Sequence, residues 1–204
     1  MRNSLVEPRF PTFKCAPKGR SGTVIEFAQA VRPNHASYKG EAHMAIEVGS
    51  PIPDATLMQM TDKGPQPVKT SDYFAGRKVV VFGLPGAFTP TCSNQHLPGF
   101  IEKADEVKAK GVDEIACLSV NDAFVMGAWG QQQGAGSKVT MLADGNGDFT
   151  KAMGLDFDGS GFGMGVRSVR YSMLVDDGVV KAINTEPNPG EAKVSGVDHM
   201  LGQL

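Results

Sequence analysis

Cysteine is scarce in this chain: Cys15, Cys92 and Cys117 are the only three in 204 residues. That is too few for the disulfide framework of a small secreted domain. None falls in a C-x-x-C pair, which argues against a zinc site and against a thioredoxin-type dithiol. A reducing compartment suits this usage. No run of about 18 apolar residues occurs, so neither a transmembrane helix nor a membrane partner is expected. Charge of one sign is also lacking: the formal net charge is −2 with 21% charged residues, which points away from nucleic acid and from disorder. There is no internal repeat and no low-complexity tract. What is present, 41% hydrophobic residues, suffices for one globular domain with a single substantial core.

The small net charge hides an asymmetry. Residues 1–40 carry seven basic side chains (Arg2, Arg9, Lys14, Lys18, Arg20, Arg32, Lys39) and two acidic ones (Glu7, Glu26), a balance of +5. A basic, acid-poor leader without an apolar core resembles an organellar transit peptide more than a secretory signal. Met44 opens "MAIEVGSPIPDATL", a natural domain start. The expected organisation is therefore a basic extension over residues 1–43, targeting or tail, and a domain over 44–204. Location is expected to be intracellular: mitochondrion or plastid if the extension is a transit peptide, cytoplasm otherwise.

Along the domain, "ATLMQM" (55–60) reads as a strand and "GPQPV" (64–68) as a turn. Thr70 or Ser71 offers a cap for a short helix that Gly76 stops. "KVVVFGL" (78–84) is apolar on both faces, the pattern of a buried interior strand. From Ser93 to Lys110 the residues Leu97, Phe100, Ile101, Ala104 and Val107 recur at helical spacing, with Pro98 expected to kink the helix. "EIACLSV" (114–120) and "KVTMLAD" (138–144) are two further strands, the first followed by a helix that Asn121 or Asp122 caps. A short helix follows near "GDFTKAMG". The run from Arg170 to Glu186 alternates about Asp177-Gly178, a strong hairpin signal. A last helix begins at Val197. This order predicts an α/β fold, a sheet with helices on both faces and an antiparallel pair at its edge.

Chemistry concentrates in "GLPGAFTPTCSNQHLPGF" (83–100). Cys92 stands at the end of a buried strand, where open α/β sheets place ligands. It also stands at the start of a helix, where unpaired N–H groups and the helix dipole favour a thiolate. Pro90 disfavours helix at Thr89 and so sets the boundary. An activated nucleophile and a small buried hydrophobe are the two readings of such a cysteine.

The octapeptide "PGAFTPTC" contains P-x-x-x-T-x-x-C, and with "CSNQHLPGF" and "ACLSVNDAFV" it resembles the peroxiredoxins, in particular the type II or peroxiredoxin-5-like subfamily. The resemblance runs from about Ile46 to Leu204. It implies a thioredoxin-like fold, a mixed central β-sheet flanked by helices. It also implies a thiol-dependent peroxidase acting on hydrogen peroxide and small alkyl hydroperoxides, with a role in antioxidant defence. By resemblance Cys92 is the peroxidatic cysteine that passes through a sulfenic acid. Thr89 would offer its hydroxyl to the peroxide and the thiolate, Pro85 would shield the site, and Arg170 would reach the sulfur from a later strand. Cys117, 25 residues after Cys92, matches the second cysteine of plant-like members and would resolve the sulfenic acid as a disulfide; its place on a buried strand equally fits inert core. The other route is a one-cysteine cycle. Electrons would come from glutaredoxin and glutathione or from thioredoxin. No metal, flavin or haem cofactor is implied, and a homodimer is.

Four further features invite other readings. Arg167 competes with Arg170, and a solvated surface charge is its plainer role. His96 lies four residues past Cys92 and suggests a Cys–His hydrolase, though packing or hydrogen bonding is the favoured role. "DGNGDF" (144–149) mimics a calcium loop but places Phe149 and Leu155 where an EF-hand needs Gly and Glu, so it reads as a turn and cap. "GSGFGMG" (159–165) lacks the context of a phosphate loop and reads as a flexible connection.

Overall fold

A computed structural model describes residues 44–204. The leader and Cys15, with the expectations placed on them, lie outside the described residues. Among the described residues nine strands and six short helices follow in order, and seven of the strands form one sheet with the order β2-β1-β5-β4-β3-β8-β9. At its centre β3 (Lys78–Gly83), β4 (Glu114–Ser119) and β5 (Thr140–Ala143) run parallel. Antiparallel strands extend it on both sides: β1 (Thr56–Thr61) with β2 (Gly64–Lys69), and β8 (Tyr171–Asp176) with β9 (Val179–Thr185). The sheet is mixed, as the pattern implied.

The apolar run of β3 is divided between two layers. Val80 and Phe82 join Ile115 and Cys117 of β4 against α2 (Leu97–Glu102), α3 (Ala104–Ala109), α4 (Ala123–Gln133) and α6 (Val197–Leu201). Val79 and Val81 join Ala116 and Leu118 against α1 (Thr70–Phe74) and α5 (Asp148–Ala152). Each fully buried side chain of this size contributes roughly 1.5–3 kcal/mol, so β3 anchors both layers. Cys92 belongs to the first layer and is fully buried.

Four features depart from expectation. "GPQPV" is not a turn but most of β2, paired with β1 through Met60↔Pro65 and Met58↔Pro67. The prolines are two residues apart, so both missing donors share one side of the strand. At the sheet's edge that side needs no partner. The expected helix from Ser93 to Lys110 begins earlier, at Pro90, and is broken. Pro98 has no N–H to give, and the preceding turn, Cys92–His96, widens to π-helical geometry in which Leu97 N–H donates to Cys92 O. A second break falls at Lys103, between α2 and α3. Thr70 likewise is the first residue of α1 rather than its cap, and its hydroxyl binds Pro53 O and Ala55 N instead. The connection 159–165 links a two-stranded sheet that the sequence pattern did not suggest, β6 (Asp156–Asp158) with β7 (Val166–Ser168). Its ends are tied by Gly159 N to Gly165 O at 2.7 Å.

Asp144, the first residue of the calcium-loop look-alike, satisfies first-turn N–H groups of α5, whose N-cap position is held by Gly147. Its carboxylate accepts from Phe149 N and Thr150 N at 3.3 and 2.7 Å.

Candidate active site

The site is assembled at the carboxyl end of β3. Leu84 N–H continues the β3–β4 ladder to Leu118 O at 3.1 Å, and the chain then leaves the sheet through buried Pro85 and Gly86. Asn121, just past β4, accepts the Ala87 N–H at 3.0 Å and sits 2.9 Å from the Ser119 hydroxyl. Phe88 adopts a left-handed conformation, φ 64°, unusual for a bulky residue, and its ring approaches Trp129 at 6.4 Å between centroids. This turn delivers Thr89 and then Pro90, the first helical residue, where a missing N–H costs nothing. Cys92 therefore lies in the first helical turn, whose N–H groups have no carbonyl one turn back.

Arg170 closes the pocket from the other side. It precedes β8, and its neighbour Tyr171 points into the opposite layer. Tyr171 is seated over Gly83: a Cβ there would come within 2.0 Å of the Tyr171 ring. A glycine at 83 thus lets β8 settle so that residue 170 faces Cys92. Arg170 is 2% exposed, and its guanidinium spends its donors on three partners. Nη2 lies 3.3 Å from Cys92 Sγ, Nε and Nη2 lie 3.1 and 2.9 Å from Pro189 O, and Nη1 lies 3.1 Å from His96 Nδ1.

Of the residues singled out in the sequence, Arg170 is brought onto Cys92, and Pro85 and Thr89 lie on the turn that leads into it. Thr89 is half-buried, and its hydroxyl already donates to Gly86 O at 2.8 Å, which leaves the oxygen as an acceptor rather than the donor foreseen. Arg167 is not a solvated surface charge. It is half-buried and braces the site's outer loops, Nη1 to Val120 O at 2.9 Å and Nε to Met164 O at 2.8 Å. His96 is buried between Phe82 and Phe100 and hydrogen-bonds Arg170 and Ser195 O, not the sulfur. Cys117 is fully buried on β4, and both cysteines are free thiols. Burial, then the nearby Cys92, push the Cys117 thiol well up, with Arg170 opposing weakly. Pattern reasoning missed Asn121 as the brace of the Ala87 turn and the segment 186–196 as the wall behind Arg170. The turn-rich "EPNPG" marked only a loop there.

Burial, and secondarily the Arg170 charge, hold the His96 imidazole down at about 3, against a backbone contact from Ser195 that favours its charged form. Unfolded, it protonates near its ordinary 6.5, so below that pH the unfolded chain binds the extra proton. Its contribution to stability is complete above about pH 6.5 and is lost as the pH falls toward 3, with a slope of at most about 1.4 kcal/mol per pH unit. Urea midpoints at pH 7 and pH 5 check this, and the midpoint should be lower at pH 5.

The redoxin family profile matches residues 47–201. Peroxiredoxin-2E-2, chloroplastic, of Oryza sativa subsp. japonica is 52% identical over 164 residues, covering 78% of this chain and 72% of the relative. Peroxiredoxin-2B of Arabidopsis thaliana is 48% identical over 160 residues, covering 78% and 98%. This chain is a type II peroxiredoxin of the redoxin family. Among solved structures, reduced Prx3 of Vibrio vulnificus in complex with hydrogen peroxide superimposes with a TM-score of 0.74 at 52% identity, covering 78% of this chain and 98% of that one. As a peroxiredoxin the protein is a thiol-dependent peroxidase, an oxidoreductase, built on the thioredoxin-like fold described above.

Proposed function

We propose that Cys92 is the peroxidatic cysteine and that it reduces hydrogen peroxide and small alkyl hydroperoxides. The observation that carries this reading is the Arg170 Nη2 donor 3.3 Å from a sulfur buried in a first helical turn. In the proposed step the Cys92 thiolate attacks one peroxide oxygen, an S–O bond forms and the O–O bond breaks. The sulfur gives up two electrons and becomes a sulfenic acid, and the other oxygen leaves, with a proton, as water or alcohol. Negative charge moves onto the departing oxygen. A guanidinium and first-turn N–H groups fixed in a dry pocket stabilise it without reorganising. Thr89 Oγ1, its own proton committed to Gly86 O, accepts a hydrogen bond from the peroxide O–H. Pro85 contributes a buried apolar wall that excludes water. The Vibrio neighbour is described with hydrogen peroxide bound, which supports the substrate class.

We take the cycle to be one-cysteine. Cys117 lies in the middle of the sheet with its thiol pushed up by burial, and a buried, protonated thiol is a poor resolving nucleophile. An external thiol instead condenses with the sulfenic acid to release water, and a second thiol frees Cys92 and leaves as a disulfide. Glutathione, alone or through glutaredoxin, fits a small buried site better than thioredoxin. The experiment is one equivalent of hydrogen peroxide followed by glutathione, with adducts located by mass spectrometry. A glutathione adduct on Cys92 is expected. A Cys92–Cys117 disulfide would overturn the one-cysteine cycle, and an unmodified Cys92 would overturn the peroxidatic assignment itself.

Three coarser expectations join this proposal. Residues 44–204 form the peroxidase domain, and the basic residues 1–43 direct it to a plastid or mitochondrion, a reading supported by the compartment in the rice relative's name. A homodimer completes it, since the half-exposed Phe88 beside the site is apolar surface that a second copy would cover.

A further inference from the structure

We propose that His96 is a positioning residue of the peroxidase reaction: a neutral imidazole, fixed as its Nε2–H tautomer, whose Nδ1 accepts from Arg170 and thereby turns the other terminal nitrogen of the guanidinium onto Cys92. The proposal rests on the peroxidatic reading of Cys92. Its chemistry follows from what each neighbour can do. A guanidinium only donates, so His96 Nδ1, 3.1 Å from Arg170 Nη1, must be bare. A carbonyl only accepts, so His96 Nε2, 3.0 Å from Ser195 O, must carry the proton. Both sides dictate the same tautomer. An imidazolium would aim a second N–H at the guanidinium and set two cations in contact.

The hydrogen bonds close into a ring. Ser195 N and Oγ both donate to Glu186 Oε1, at 2.8 and 3.0 Å, and Glu186 N donates to Arg170 O at 2.9 Å. The path therefore returns from the Arg170 side chain through His96, Ser195 and Glu186 to the Arg170 backbone. Arg170, His96, Ser195 and Glu186 are all buried. Phe82 from β3 and Phe100 from α2 enclose the imidazole, with centroids 5.0 and 5.7 Å away, and bring no charge. Arg170 is the one charged side chain bonded to it, Cys92 is the other titratable group on its own turn, and Glu186 stands behind Ser195. Burial and the Arg170 charge keep the ring neutral across the physiological range. Without the Nδ1 acceptor, Arg170 Nη1 would be a buried donor with no partner, and the guanidinium would turn away from the sulfur to find one.

The competing role is bulk: a flat ring filling the space beside two phenylalanines. Two variants separate the roles. His96→Phe keeps the ring and removes both polar atoms, while His96→Asn gives up the ring but can place an amide oxygen near the Nδ1 position. The proposal expects the Phe variant to lose about 10- to 100-fold in the rate of Cys92 oxidation by peroxide, and the Asn variant to stay within about threefold of the parent. The reverse order would overturn it. A measurement on the parent needs no variant to fold: two-bond 1H–15N correlation of His96 should show the Nε2–H tautomer unchanged from pH 8 to pH 5. An Nδ1–H tautomer, or titration near 6.5, would overturn it. A parent whose Cys92 is not oxidised at all removes the peroxidatic reading. An active parent with an equally active Phe variant removes only this inference.

Discussion

Replacing Cys92 with serine is expected to reduce peroxide consumption to the background rate of the reductant alone. The substitution changes one atom. Serine is close to the same shape in a fully buried position, and its hydroxyl can still take the Arg170 Nη2 donor that now meets Sγ at 3.3 Å. The fold and the pocket should persist. What disappears is the nucleophile, because an alcohol stays protonated where a thiol ionises, and oxygen cannot pass through the sulfenic oxidation level. Cys117 remains in the variant as an internal control: it is buried, and burial keeps its thiol protonated. Peroxide loss followed with dithiothreitol or glutathione as donor gives the comparison. Rates equal to the parent's would place the chemistry on another residue.

Arg170→Met is expected to slow Cys92 oxidation by about 100- to 1,000-fold, the usual cost of removing one donor aimed at developing charge. Methionine retains much of the length and the apolar stem, so the pocket is not simply emptied. It removes the cation at the sulfur, and it strips Pro189 O of two donors and His96 Nδ1 of one. Each buried polar group left without a partner costs about 1–3 kcal/mol, so stability should fall alongside the rate. The two effects can be told apart. Arg170→Lys restores a positive charge but a single ammonium cannot fork to three partners, so it should recover part of the rate. A rate that falls only in proportion to the folded fraction would mean that the guanidinium is structural.

Much of the fold could be read from residue pattern, and the reasons are local. β3 was legible because an interior strand between two helical layers is apolar on both faces, as Val79 to Phe82 are. The β8–β9 hairpin was legible because Asp177 and Gly178 both take positive φ, 47° and 74°, as a two-residue hairpin turn demands. β2 was not, since its prolines at 65 and 67 speak against a strand unless its place at the sheet's edge is known. β6 and β7, three residues each around a glycine-rich connection, are too short to show a period. The π-helical turn arises from Pro98 acting on the turn that carries Cys92, a backbone accommodation with no signature in residue spacing.

The candidate site divides in the same way. The cysteine, its helix start and the preceding prolines are contiguous, so their relation was visible in one stretch. Arg170 is 78 residues from Cys92 in sequence, and only the resemblance to peroxiredoxins pointed to it. Of the partners that hold it only His96 was legible, as a packing or hydrogen-bonding residue, though not as a partner of Arg170. Pro189 and Ser195 act through backbone carbonyls, which every residue has, and His96 is drawn into the network by burial against Phe82 and Phe100 rather than by its distance from the cysteine. Gly83 is a similar case: its role is the space it leaves for Tyr171, on the far side of the sheet from the sulfur.

The most direct measurement is a stoichiometric one. Fully reduced protein, freed of all other thiols, is mixed with excess hydrogen peroxide, and the first phase of peroxide loss is followed while oxygen additions are located by peptide mass spectrometry. The first phase should consume one peroxide per chain and place the oxygen on Cys92, with turnover resuming only when a thiol is added. First-phase oxidation at Cys117, or continued catalytic loss of peroxide with no thiol present, would contradict the account.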